Sequence, residues 1–195
     1  MALTFDDGPD PDATPAVLDG LDAAGARATF FLIGEQLMRN IALGREITTR
    51  GHEVAVHGFT HLRHDDMTPT AARDDPARAL GTVEAATGRR PRFYRPPYGR
   101  FTEHSYAACG KLELEPVYWS AWGGDWEDIS GERIADMAGR DLRDGSILVL
   151  HDSARYAVRP SAAATAEAVP LIAERAGELG LRLVMLGEMV EGVGP

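Results

Sequence analysis

Apolar and polar positions alternate along the chain in two rhythms. Short runs at residues 2–5, 28–33, 53–56, 93–95, 115–119, 147–150 and 182–185 predict strands. Longer mixed stretches at 14–24, 35–50, 70–87, 102–109, 131–142 and 161–179 predict helices. Gly25, Gly51, Gly88, Gly110 and Gly180 fall where a left-handed residue ends such helices. A strand–helix repeat of this kind predicts an α/β fold with a mostly parallel sheet covered by helices. Seven strands in 195 residues are too few for a complete eight-unit barrel, so a distorted or incomplete (β/α) barrel is expected. No linker-like composition or internal repeat divides the chain, and residues 1–195 are expected to form a single domain.

Composition narrows the partners. An apolar share of 44% with 26% charged residues is that of a folded domain large enough to bury its own core. Thirty acidic against twenty basic residues give a net charge of −10, which argues against nucleic acid or an anionic membrane as partner. A neutral or cationic substrate fits better. Cys109 stands alone in apolar surroundings, so it reads as a buried thiol with no disulfide partner in this chain. No apolar run reaches bilayer length and no leader precedes Leu3, so no membrane insertion is expected.

The reactive residues sit at predicted strand ends. Asp6 and Asp7 follow the first strand, His57 the third, Arg95 ends the fourth, Asp125 follows the fifth and His151 the sixth. In parallel α/β folds the loops at the carboxyl ends of strands share one face, so these residues are expected to converge. His57 and His61 are four positions apart and would face one side if a helix began there. With Asp7 they make a His/His/Asp set for a catalytic zinc, leaving one position open. Asp6 points to the other side of an extended backbone and is the natural general base for a water there. His52, in a turn, and His64, in a polar stretch, are read as solvated or structural.

Five segments in order then resemble the carbohydrate esterase family 4 polysaccharide deacetylases, which carry the NodB homology domain. They are Thr4-Phe5-Asp6-Asp7-Gly8, His57-Gly58-Phe59-Thr60-His61, Arg95-Pro96-Pro97-Tyr98-Gly99, Asp125-Trp126 and Leu148-Val149-Leu150-His151-Asp152. The resemblance implies a NodB-like deacetylase fold, with Asp6 as base and Asp7, His57 and His61 holding one divalent ion, zinc first and Co²⁺ or Ni²⁺ as other candidates. It further implies that Arg95 holds Asp6, that His151 protonates the leaving amine, and that Asp125 supports His151. The backbone N–H of Tyr98 would help hold the oxyanion, and Trp126 and Leu150 would form the acetyl-methyl pocket. Trp119 and Trp122 read as core residues. The chain departs from the family pattern at Gly58, where many members carry Ser or Thr, and at Trp122, where many carry an acid.

The expected activity is metal-dependent removal of N-acetyl groups from N-acetylglucosamine units of a polysaccharide or oligosaccharide, chitin-type or peptidoglycan. The alternatives with the same motifs are an acetylxylan ester deacetylase and an amidohydrolase of a small cyclic amide. A noncatalytic carbohydrate-binding relic would have lost base, acid or ligand, and none of these is lost here. No protein partner is implied. The family leans toward secretion or the cell envelope, although the residues show no signal peptide.

Overall fold

A computed structural model of the chain describes residues 1–192. Seven parallel strands form one sheet: β1 (Ala2–Asp6), β2 (Thr29–Leu32), β3 (Glu53–Val56), β4 (Phe93–Tyr94), β5 (Glu115–Pro116), β6 (Ala121–Trp122) and β7 (Ile147–His151). Their spatial order is β5-β4-β3-β2-β1-β7-β6. The sheet curls but its two outer strands do not pair, giving the incomplete barrel expected from strand count. Helices α1 (Thr14–Ala23), α2 (Gly34–Arg39), α3 (Ile41–Thr49), α4 (Pro69–Thr87), α5 (Glu103–Lys111), α6 (Gly131–Gly139), α7 (Ala163–Glu178) and α8 (Leu186–Gly192) complete it.

Strands buried on both faces explain the unbroken apolar runs. In β2, Phe30 stacks on Phe5 with centroids 5.1 Å apart and joins the main core with Leu18 and Leu21. Phe31, one residue on, points to the opposite face and packs with Ala55, Phe93 and Leu186. Both layers of helix and sheet are therefore tied together by adjacent residues of one strand.

The structure corrects several expectations. Residues 182–185 do not form a strand; Val184 makes only an isolated bridge to Ala2. The seventh strand is instead Ala121–Trp122, which pairs with β7. Asp125 consequently follows β6, and His151 ends β7. The predicted helix at 35–50 breaks at Asn40 (φ −135°, ψ 47°), whose side-chain amide donates to the Gln36 carbonyl at 3.1 Å. Gly110 lies inside α5, and the left-handed residue after that helix is Glu113, with φ 58°. The strand predicted at 115–119 is only two residues long, and residues 117–120 have no regular structure. Cys109 is buried as expected, and burial pushes its thiol up to about 12. No helix among the described residues is long and apolar enough to cross a membrane.

Candidate active site

The loops after β1, β3, β4, β6 and β7 open on one cleft of about 380 Å³ at the carboxyl ends of the strands. Asp6 ends β1, and Asp7 turns out of it with φ 79°. This left-handed step sends two consecutive carboxylates to different partners. The turn is braced by Asp152. Its Oδ1 accepts from the Gly8 N–H at 3.1 Å and its Oδ2 accepts from the Thr14 hydroxyl at 2.6 Å. Only glycine fits at position 8, since a Cβ there would lie 2.1 Å from Asp152 Oδ2. Burial, aided by the nearby Asp7 charge, pushes the Asp152 carboxyl up to about 7.

Asp7 meets both histidines. Its Oδ1 lies 3.4 Å from His57 Nε2 and 3.1 Å from His61 Nε2, and one ligand atom from each of the three residues falls within 4.8 Å of the others. His57 Nδ1 is 2.8 Å from the Arg95 carbonyl, so that nitrogen donates and Nε2 presents its lone pair to Asp7. Asp7 Oδ1 is buried and has no hydrogen-bond donor. A buried carboxylate oxygen facing two imidazole nitrogens is a donor set for a divalent cation, and these residues fit one. The histidines do not lie on a helix, as their spacing had suggested. They flank an irregular loop whose bends bring the rings to 5.6 Å between centroids.

On one side of this triad, Arg95 Nη1 donates to Asp6 Oδ1 at 2.7 Å and to the Thr4 hydroxyl oxygen at 2.9 Å. Nη2 reaches the Tyr118 carbonyl at 3.2 Å. The guanidinium is fully buried between the rings of Phe31 and Trp119, at 4.0 Å and 5.7 Å. Burial draws its pKa below the ordinary value, and the Asp6 charge opposes that pull. On the other side, Asp125 Oδ1 lies 2.9 Å from His151 Nδ1. Asp125 Oδ2 accepts from the His151 backbone N–H at 2.8 Å and from the Thr165 hydroxyl at 2.7 Å. Burial works against a charged imidazole here, but the Asp125 charge and hydrogen bond prevail and lift His151 to about 9.

Tyr98 sits in the tight turn Pro97–Gly99 with φ 58°, its ring 4.6 Å from that of His61. Trp126 stands edge-on to His151 at 6.0 Å and lines the cleft. Leu150 does not reach the cleft: it is fully buried in the core, and Val149 lines the cleft instead. The two-residue alternation of a strand puts Val149 on the face of His151, a signal already present in the sequence. His52 and His64 are buried structural residues, the latter 3.0 Å from the Tyr94 hydroxyl. Trp119 lines the cleft and Trp122 is half exposed, so neither is the core residue expected. Sequence reasoning missed Tyr156, whose ring stacks on His61 at 4.0 Å and 16°. It also missed Arg159, buried 3.5 Å from Asp125 Oδ2 and donating to the His151 and Ser153 carbonyls.

This fold and this site define a deacetylase of the carbohydrate esterase type, and comparison with known proteins places the chain by descent. It belongs to the polysaccharide deacetylase family, whose model matches residues 1–117. It is 38% identical over 151 residues to a chitooligosaccharide deacetylase of Bradyrhizobium sp., covering 77% of this chain and 69% of that protein. It is 31% identical over 193 residues to a peptidoglycan-N-acetylglucosamine deacetylase of Bacillus cereus, covering 97% and 87%. Among solved structures, a family 4 carbohydrate esterase from Streptomyces lividans in complex with acetate superposes with a TM-score of 0.84 at 30% identity, covering 94% and 90%. The chain is thus an amide-hydrolysing deacetylase of the NodB homology group.

Proposed function

We propose that this protein removes acetyl groups from N-acetylglucosamine units of chitin-type oligosaccharides or peptidoglycan, with one zinc ion held by Asp7, His57 and His61. The observation that carries this reading is the flanking of that triad by Asp6, held by Arg95, and by His151, held by Asp125. The names of the two relatives support the amino-sugar substrate. The continuous sheet supports reading residues 1–195 as one domain.

A divalent ion in the triad supplies Lewis acidity to water and to the substrate carbonyl. The residues supply the rest. Asp6, oriented by Arg95, accepts a proton from the water as the water oxygen bonds to the carbonyl carbon. The Tyr98 backbone N–H is assigned to the developing oxyanion. Trp126 and Val149 bound the space for the acetyl methyl. His151, charged at neutral pH because of Asp125, gives its proton to the sugar nitrogen as the C–N bond breaks. Acetate and a free amine leave.

Acetate release should be measured in parallel on chito-oligosaccharides, peptidoglycan, acetylated xylan and a small cyclic amide. Release from one of the amino-sugar polymers is expected. Release confined to xylan or the cyclic amide would replace this reading with an esterase or amidohydrolase of the same fold.

A further inference from the structure

Residues 58–60 bridge the two ligand histidines, and two separate helices grip that bridge. Its carbonyls are taken by α2: the Gly34 and Glu35 N–H groups donate to Gly58 and Phe59 at 3.0 Å and 2.9 Å. Its N–H groups are taken by α4: Phe59 donates to Asp75 Oδ2 at 2.8 Å, and Thr60 donates to Asp75 Oδ1 at 3.2 Å. The Thr60 hydroxyl adds a third bond to Oδ1 at 3.3 Å. One turn further along α4, the Arg78 guanidinium lies 3.4 Å above the Phe59 ring.

Asp75 is buried, and among the described residues no Lys or Arg lies within ion-pair distance of it. Its ion-pair contact among the described residues is with His64, at 4.0 Å. Its charge is therefore met chiefly by the loop's own donors, which makes these bonds charge-assisted. Gly58 completes the fit. It has φ +87°, and a Cβ there would stand 2.9 Å from Asp75 Oδ2 and 3.1 Å from the Thr60 carbonyl.

We infer that Asp75 is a positioning residue for the metal centre, setting the separation of His57 and His61 by fixing the bridge between them. The inference rests on the triad being a metal site. An irregular loop has no strand or helix ladder to hold it, so its two anchors decide where His61 points. With asparagine at position 75 one amide oxygen remains for the two N–H groups, so either Phe59 or Thr60 faces an NH2 donor instead of an acceptor and the bridge relaxes. Ligands then have to be ordered when the ion binds, and affinity falls.

The test uses metal-free full-length protein: wild type, Asp75→Asn, Asp75→Glu and Gly58→Ala. Zinc dissociation constants come from competition with a chromophoric chelator, the ligand field from the visible spectrum of the cobalt form, and folding from the thermal midpoint. Asp75→Asn is expected to weaken zinc by roughly 10- to 100-fold and to change the cobalt spectrum. Asp75→Glu, which keeps a carboxylate, should recover part of the affinity. Gly58→Ala pushes on the same carboxylate from the loop side and should weaken zinc as well, so it carries the test should Asp75→Asn fail to fold. A folded variant with a lower midpoint but wild-type affinity and spectrum would overturn the inference while leaving the metal site intact. Failure of wild type itself to bind zinc or cobalt would instead overturn the site reading on which it rests.

Discussion

Asp125 grips His151 at two points, its Oδ1 2.9 Å from the ring Nδ1 and its Oδ2 2.8 Å from the backbone N–H. The double contact fixes both the position of the imidazole and the nitrogen that faces the cleft. It also keeps the ring charged up to a pH of about 9, against the effect of burial. An acid for a poor amine leaving group must arrive protonated at neutral pH, and this pair arranges that.

The pair sets the alkaline side of the pH profile. In wild type, kcat/KM should fall as pH rises through about 9. Asp125→Asn removes the charge that raises the imidazole, so the alkaline limb should move toward the ordinary value near 6.5. At pH 8 that leaves only about one imidazole in thirty protonated, and turnover should drop accordingly. A profile measured from pH 5 to 10 checks this, and an unmoved limb would remove His151 as the acid. The linkage has a definite sign: a raised histidine pKa adds stability that is complete below about 6.5 and is lost as pH climbs through about 9.

Asp6→Asn separates base from ligand. An amide oxygen can still accept from Arg95 but cannot take the water's proton, so turnover should fall by about 10²–10⁴ while bound metal is unchanged. Near-wild-type acetate release would remove Asp6 as the base. Replacing Arg95 with Met instead leaves Asp6 buried without its cation. The thermal midpoint should drop, since breaking a buried pair costs about 3–5 kcal/mol.

Asp152 makes the metal-free fold sensitive to neutral pH. Its carboxyl is raised to about 7, so its contribution to stability is present at acid pH and is lost as pH rises through about 7. Asp152→Asn keeps an acceptor for the Gly8 N–H and a donor for Thr14 while removing the charge. Thermal midpoints of the metal-free protein should therefore decline less steeply between acid and neutral pH in the variant. Equal slopes would show that the buried carboxyl does not titrate there.

Gly8→Ala tests the brace by crowding. The added Cβ would lie 2.1 Å from Asp152 Oδ2, and overpacking of this kind costs about 1–3 kcal/mol. Because the same turn carries Asp7, metal affinity should fall along with the midpoint. A fall in the midpoint alone would uncouple the brace from the metal site.

Much of this was legible in the chain because parallel α/β folds put strand ends on one face. Asp6, Asp7, His57, Arg95 and His151 could be gathered from position alone; in the structure four of them line one cleft, and Arg95 is buried behind Asp6. What escaped had physical reasons. Ala121–Trp122 is a strand because β7 offers it an edge, a tertiary fact with too few residues to leave a pattern. The run at 182–185 lies beside the start of β1, where the single bridge from Val184 to Ala2 is all the pairing it makes. Leu150 and Val149 face opposite sides of β7, and strand alternation gives only Val149 the cleft face of His151. Tyr156 and Arg159 lie in a loop whose path no local pattern encodes, and Asp75 looks like any acidic residue in a polar helix.

The most direct measurement of the central claim is acetate release from a chito-oligosaccharide by dialysed protein, before and after a strong chelator and again after zinc is restored. Elemental analysis of the same samples counts the metal. Metal-dependent deacetylation predicts one metal per chain, activity lost with it and recovered with it, and neither metal nor activity in His57→Ala. Full activity in protein shown to hold no divalent metal would contradict it.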